Sequence, residues 1–306
     1  MIVVVCPGQG SQTPGFLEPW LQNPDFAERL AAMSAPAGTD LVTAGTVSDA
    51  DTIRDTAIAQ PLIVAAGLLA LDALFTDGRR DGIGGIAGHS VGEITAAVGA
   101  GVLGSTDALT FVGERGRAMK AAAALAPTGM SAVLGGDEAD LLARLAELDL
   151  EPANFNGGGQ IVVAGALDAL AALAAEPPAK ARVIPLQVAG AFHTRHMLPA
   201  VQHLDAVSHT LSPQDPTIPL WTNNDGTVVT SGSRFIELLV GQVSSPVRWD
   251  LCMQAFTDAG VTGIIEVAPA GALVGLAKRA LRGIPSVAIR TPDDLPAAYE
   301  LIDHQA

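Results

Sequence analysis

Ser90 lies in Gly88-His89-Ser90-Val91-Gly92, a G-x-S-x-G pentapeptide between a short apolar run and a small-residue helical pattern. A strand that turns sharply into a helix leaves such a serine at the apex, with its hydroxyl exposed above the sheet edge. The flanking glycines permit the strained turn. The helix N-terminus behind the serine offers free backbone N–H groups and a positive dipole end, suited to a developing oxyanion. The same residues also suit a glycine-rich β–α turn whose serine merely caps the helix, and the pentapeptide alone leaves both readings open.

A serine nucleophile needs a base within hydrogen-bond reach. Among the six histidines, His89 adjoins the serine but points away from it across the turn. His203 and His209 fall in a helical pattern, on its surface, and His304 is in the terminal tail. His193, in Gly190-Ala191-Phe192-His193-Thr194, stands where one strand opens into the next helix, a junction loop that can face the serine. It is the first candidate for the base and His196 the second. No acidic residue is marked by its local context as the third member of a triad. Arg115 poses a separate question. It shares a helical face with Val112 and Met119, at i, i+3 and i+7, whereas Arg117 points elsewhere with Gly113 and Thr110. A guanidinium on an apolar face needs an anion, because an unpaired buried charge is very costly. Either an Asp or Glu of the chain supplies it, or a substrate carboxylate does.

The elements that must position these groups alternate between strand and helix. Ile2–Cys6 is an all-apolar run, as expected of a parallel strand buried on both faces. The turn Pro7-Gly-Gln-Gly-Ser-Gln12 presents Gln9 and backbone amides at that strand's carboxyl end, where open α/β sheets keep their sites; it matches neither G-x-G-x-x-G nor a P-loop. Residues 16–33 and 56–76 read as helices, and Ser105 or Thr106 caps another running to about Ala126. From Thr128 the order is strand (130–134), helix (138–148), two strands (152–156 and 160–165), helix (167–175) and strand (182–188). That is the β-α-β-β-α-β, ferredoxin-like pattern. Strands at 218–222, 263–267 and 286–289 then alternate with helices at 233–242, 248–259, 271–281 and 295–302. The pattern predicts an α/β fold: a mostly parallel sheet of α/β-hydrolase-like type with an inserted ferredoxin-like subdomain. Residues 1–126 and 191–306 form the large catalytic domain in this reading, and 127–190 the small one.

Composition narrows the function further. The 306 residues carry 17 Lys and Arg against 32 Asp and Glu, a net charge of −15, so a general basic field for nucleic acid is absent. An anionic partner must find a local basic patch, for which Arg117, Lys120, Lys278, Arg279 and Arg282 are the candidates. Two cysteines, Cys6 and Cys252, suit a reducing interior. The N-terminus reads as a strand rather than a signal peptide, and no stretch approaches a membrane span. The expectation is a cytoplasmic protein without membrane contact.

Taken together, these residues resemble the malonyl-CoA:acyl-carrier-protein transacylases, the acyltransferases of fatty-acid and polyketide synthesis. The resemblance runs from Pro7-Gly-Gln-Gly-Ser-Gln12 through Gly88-His-Ser-Val-Gly-Glu93 to the C-terminal helices. Arg115 follows Ser90 by 25 residues, Gly190-Ala-Phe-His193 matches the histidine motif, and Gln242 precedes Ser245-Pro-Val-Arg-Trp249 as the family's glutamine does. The resemblance implies that Ser90 is the nucleophile, His193 its base, and Gln242 the group that orients the imidazole in place of a triad aspartate. It implies an oxyanion hole from the backbone N–H groups of Gln9 and Val91. Arg115 would clamp a malonyl carboxylate, Met119 would line the acyl pocket, and Phe192, His89 and Asn156 complete the substrate-binding set. Phe192 and Val91 are both of the malonyl-selecting type. Cys6 departs from the pattern, standing where many members have phenylalanine, a matter of core packing. The implied partners are malonyl-CoA and phosphopantetheinylated acyl carrier protein, with ping-pong transfer that needs no metal and no cofactor. The limits of the chain suggest a discrete protein rather than an excised megasynthase module. Two rivals are a hydrolase or thioesterase using the same serine with a triad acid, and a non-catalytic carrier-binding scaffold.

Overall fold

The computed structural model describes residues 1–304. The first part of the chain runs β1 (Ile2–Cys6), α1 (Glu18–Leu21), α2 (Pro24–Ala37), α3 (Leu41–Thr46), α4 (Ala50–Arg54) and α5 (Thr56–Leu74). It continues with β2 (Ile83–Gly88), α6 (Gly92–Gly99) and α7 (Ser105–Ala123). A second group follows: β3 (Thr128–Gly135), α8 (Glu138–Glu147), β4 (Glu151–Gly157), β5 (Gln160–Ala166), α9 (Leu167–Ala175) and β6 (Ala181–Pro185). The last part holds α10 (Leu198–Ser208), β7 (Leu220–Trp221), α11 (Gly232–Gln242), β8 (Val247–Arg248) and α12 (Trp249–Asp258). It ends with β9 (Gly263–Glu266), α13 (Ala272–Ala280), β10 (Ser286–Ala288) and α14 (Leu295–Asp303).

Among the described residues, ten strands make two sheets. The first, in order β10-β9-β1-β2-β7, is parallel throughout, with Cys6 beside Gly88 and Val4 beside both Ile86 and Ile265. Every residue of β1 is buried, as its unbroken apolar run requires when helices cover both faces. One cluster on this sheet joins Val4 and Ile86 to α5, α6 and α7; another, on Trp221, Trp249 and Phe256, packs α12 and α13 against Val3 and Val5. The second sheet has the order β6-β3-β5-β4-β8. Its first four strands pair antiparallel, Met130 facing Ala164 and Ala132 facing Ile184. β8, from much later in the chain, adds parallel to β4 by pairing Val247 with Asn154. That edge ties the second sheet to the segment between α11 and α12. The loop carrying His193 is bound to the end of α11 by His193 N–H donating to Val243 O at 3.0 Å. The fold is α/β with a mostly parallel main sheet.

Several local expectations change. The helix read at 16–33 is two, because Asn23-Pro24 interrupts it: Pro24 brings no N–H, and the Asn23 side chain caps α2 by accepting from Asp25 N. α3 and α4 lie in a stretch to which no element is assigned from the sequence. Each is short, and each starts on an aspartate, Asp40 and Asp49, whose carboxylate takes a first-turn N–H. The cap of α7 is Gly104, with no side-chain bond from Ser105 or Thr106, and the helix stops at Ala123 rather than Ala126. α5 is long and apolar enough to cross a membrane by length and composition, contrary to the expectation that no stretch would be. It is a core helix instead, with 83% of its apolar window buried inside the protein.

Candidate active site

The site starts from the turn between β2 and α6. Ser90 adopts φ 53°, left-handed backbone that costs a non-glycine residue on the order of 1–3 kcal/mol. Its neighbours explain how the turn is enforced. A Cβ on Gly88 would lie 2.1 Å from the Gly92 carbonyl carbon, and one on Gly92 would lie 2.1 Å from Cys6 O. Only glycine lets β1, β2 and the first turn of α6 approach this closely. The turn is braced by Asn223, just past β7: its Oδ1 accepts Ser90 N–H at 2.7 Å, and its Nδ2 donates to Gly88 O at 2.7 Å.

His193 comes from the loop before α10 and is likewise left-handed, at φ 62°. Its Nε2 lies 2.7 Å from Ser90 Oγ, and its Nδ1 lies 2.9 Å from the main-chain carbonyl of Gln242. A carbonyl only accepts, so Nδ1 carries the proton and Nε2 is left to accept from the serine hydroxyl. Burial, aided by the nearby Arg115 charge, pulls the imidazole down to about 3, so it is uncharged at neutral pH. The expected role of Gln242 is thereby altered in kind: its backbone, not its amide, touches the imidazole. His196 sits in the helical turn that follows and makes no contact with Ser90.

Arg115 is 1% exposed. The ion pair that an Asp or Glu of the chain would provide is absent among the described residues. Two amides hold it instead: Nη1 donates to Gln60 Oε1 at 2.6 Å and Nη2 to Gln242 Oε1 at 2.8 Å. Nη2 is also 3.5 Å from Ser90 Oγ, and the buried Nε has no partner. Burial brings the guanidinium down to about 10, partly offset by Glu93, so it keeps its charge. Val112 and Met119 are buried on the same face of α7, as the helical spacing predicts.

A cavity of about 430 Å³ opens over these groups, bordered by Ser90, His193, Gln9, Met119, Phe192 and Leu276 among others. Arg115 lies just behind this lining, against Gln60 and Ser90. His89 also faces the cavity, turned from the serine with its Nε2 2.9 Å from Asn156 Oδ1. The backbone N–H groups of Gln9 and Val91 donate to no protein acceptor among the described residues. Val91 precedes the first turn of α6, where such groups are normally unsatisfied.

Three residues here were missed in the sequence: Gln60, Glu93 and Asn223. The one signal that could have found Gln60 is that it is the single amide in the apolar helix α5, and for Glu93 that it is the single carboxylate of α6. Asn223 gave no signal beyond its place beside the turn 224–226. The expected basic patch also divides. Arg117 is paired with Glu114 at 2.8 Å, and Lys120 with Asp55 at 2.5 Å, so neither is a free charge. Lys278, Arg279 and Arg282 are exposed and in no ion pair among the described residues, and Arg279 borders the cavity.

A serine hydroxyl on a neutral imidazole, at a strand-to-helix apex, is the machinery of acyl transfer, and residues 3–291 match the acyl transferase domain family. A malonyl CoA-acyl carrier protein transacylase of Mycobacterium tuberculosis is 52% identical over 299 residues, covering 96% of this chain and 98% of that protein. The crystal structure of MCAT from the same organism superposes with a TM-score of 0.94 at 51% identity, over 97% of this chain and 99% of that one. A malonyl-transacylase solved in complex with its type II PKS acyl-carrier protein matches with a TM-score of 0.91 at 29% identity, over 98% and 99%. The chain belongs to the malonyl CoA-acyl carrier protein transacylase family of acyl transferases.

Proposed function

We propose that this protein moves the malonyl group from malonyl-CoA to the pantetheine thiol of an acyl carrier protein, in fatty-acid or polyketide synthesis, by a ping-pong mechanism through a malonyl-serine ester. The observation that carries the reading is the convergence on one atom: Ser90 Oγ lies 2.7 Å from His193 Nε2 and 3.5 Å from Arg115 Nη2. Ser90 Oγ attacks the thioester carbonyl as its proton passes to His193 Nε2. The carbonyl oxygen takes up negative charge against the free N–H groups of Gln9 and Val91. The C–S bond breaks, and the CoA sulfur leaves with the proton from His193. In the second half, the carrier's thiol gives its proton to Nε2 and attacks the ester, and Ser90 recovers a proton as it leaves. Arg115 meets the free carboxylate of the malonyl group, with its unpartnered Nε and the second N–H of Nη2 as the fork. Met119, Phe192, His89 and Asn156 shape the cavity around the acyl chain.

The imidazole rests on a main-chain carbonyl rather than a carboxylate, which favours transfer over a hydrolase with a triad acid. The solved complex of a relative with its carrier protein supports a carrier as acceptor. The strand order β6-β3-β5-β4, with α8 and α9, supports reading residues 127–190 as a ferredoxin-like subdomain. The Ser90 elbow supports calling residues 1–126 and 191–306 α/β-hydrolase-like. Two free, buried thiols suit a cytoplasmic protein. Labelled malonyl-CoA, incubated with the protein and a phosphopantetheinylated carrier, should place label on the carrier. Release as free malonate would support a hydrolase, and no reaction a scaffold.

A further inference from the structure

Glu93 is a buried carboxylate with no part in the chemistry above, yet both halves of the site hang on it. It stands in the first turn of α6, three residues after Ser90, and is 1% exposed. Its Oε1 accepts the Asn223 backbone N–H at 2.6 Å, and its Oε2 accepts from the Gln242 side-chain amide nitrogen. A carboxylate only accepts, so it fixes which way the Gln242 amide faces: nitrogen toward Glu93, oxygen toward Arg115 Nη2 at 2.8 Å. The same amide nitrogen also reaches Ser90 O at 3.1 Å. Asn223, held by the other carboxylate oxygen, carries the Ser90 turn through the bonds described above.

We propose that Glu93 is the positioning residue for malonyl selection, acting through Gln242 to hold Arg115 in place with its fork free for the substrate carboxylate. The placement at one remove matters. A carboxylate paired directly with Arg115 would occupy the donors that the substrate needs. Through an intervening amide, Glu93 supplies orientation and, in its ionised form, counter-charge, while leaving Nε and part of Nη2 unpaired. Burial raises its carboxyl to about 7, against the hydrogen bonds from Asn223 and Gln242 that favour the ionised form. An amide at position 93 cannot do this. It offers one accepting oxygen to two donors, so its own NH₂ must face either Asn223 N–H or the Gln242 nitrogen. Turning the Gln242 amide to relieve the second conflict points NH₂ groups at Arg115.

This inference rests on the malonyl transfer proposed above, and the test separates the two. Rates of Ser90 acylation from malonyl-CoA and from acetyl-CoA are compared in wild type, Glu93→Gln, Glu93→Asp, Arg115→Ala and Arg115→Ala/Glu93→Gln, with thermal unfolding of each. Glu93→Gln should lower the malonyl-to-acetyl ratio by roughly 10- to 100-fold, the loss expected for a misplaced charged hydrogen-bond partner. Glu93→Asp, which keeps the charge but is one methylene shorter, should lower it less, and gives the reading if the glutamine variant does not fold. In the Arg115→Ala background, Glu93→Gln should leave the ratio where it is. Equal losses for both acyl groups, or an unmoved ratio, would overturn the inference. A wild type that takes up no malonyl would instead overturn the function on which it rests.

Discussion

Replacing Arg115 with alanine is expected to change which acyl group the protein accepts rather than to silence it. The guanidinium is enclosed, held by Gln60 and Gln242 at 2.6 and 2.8 Å, with Nε unpaired and Nη2 3.5 Å from Ser90 Oγ. A malonyl carboxylate supplies two oxygens to that free edge. Hydrogen bonds to charged groups are worth about 1.5–3 kcal/mol each, so two contribute about 3–6 kcal/mol. At about 1.36 kcal/mol per tenfold, malonyl transfer should fall by roughly 10²–10⁴. Acetyl has no carboxylate and loses none of this, and a site built around a polar contact rejects an analogue that lacks it. Arg115→Ala should therefore keep, or gain, acetyl transfer, and Arg115→Lys should recover little malonyl transfer, because a point charge does not reproduce the fork. The assay is the ratio of kcat/KM for malonyl-CoA and acetyl-CoA in wild type and variants. Removing the guanidinium also leaves two buried glutamine oxygens short of a donor, at about 1–3 kcal/mol each, so the comparison is made well below the melting temperature. An unchanged ratio would refute the reasoning, leaving Arg115 a structural tie between α5 and α11.

Three further outcomes follow from the structure. His193→Ala should lose on the order of 10²–10⁴ in turnover, whereas His196→Ala, which does not touch Ser90, should lose little; equal losses would mean the wrong histidine is assigned. Because burial depresses the His193 pKa, the stability it contributes is present above about 6.5 and lost as pH falls toward 3, and chemical denaturation of His193→Ala should show a smaller loss over that window. On the carrier side, charge reversal at Lys278 or Arg279 should raise the apparent KM for an acidic carrier, most at low salt. Reversal at Arg117 or Lys120, each already in an ion pair, should change it less; the opposite order would place the docking surface elsewhere.

How far the sequence reached depended on how local each signal was. The Ser90 apex was legible because its enforcing glycines are its chain neighbours. Arg115 was legible as an oddity because the 3.6-residue period set it beside Val112 and Met119. Its partners were not, since Gln60 and Gln242 reach it across 55 and 127 residues. The same limit hid the ties of Glu93 to Asn223 and Gln242, formed over 130 and 149 residues. His193 could be favoured by its junction loop, but the bond of its Nδ1 to a main-chain carbonyl has no side-chain signature at all. The strands of the second sheet were legible from the order of short strand-like runs and helical patterns between 130 and 188, whereas the two-residue β8 is too short to leave a signal. Arg117 and Lys120 were counted as free charges because Glu114 and Asp55 are brought to them only by the helical turn and by packing against α4 and α5.

The central claim is that Ser90 carries the acyl group. Intact mass after incubation with malonyl-CoA, without a carrier protein, measures this directly. One malonyl adduct should appear on the wild type, disappear on adding phosphopantetheinylated carrier, and be absent in Ser90→Ala. An adduct that persists in Ser90→Ala, or one that the carrier does not discharge, would contradict the account.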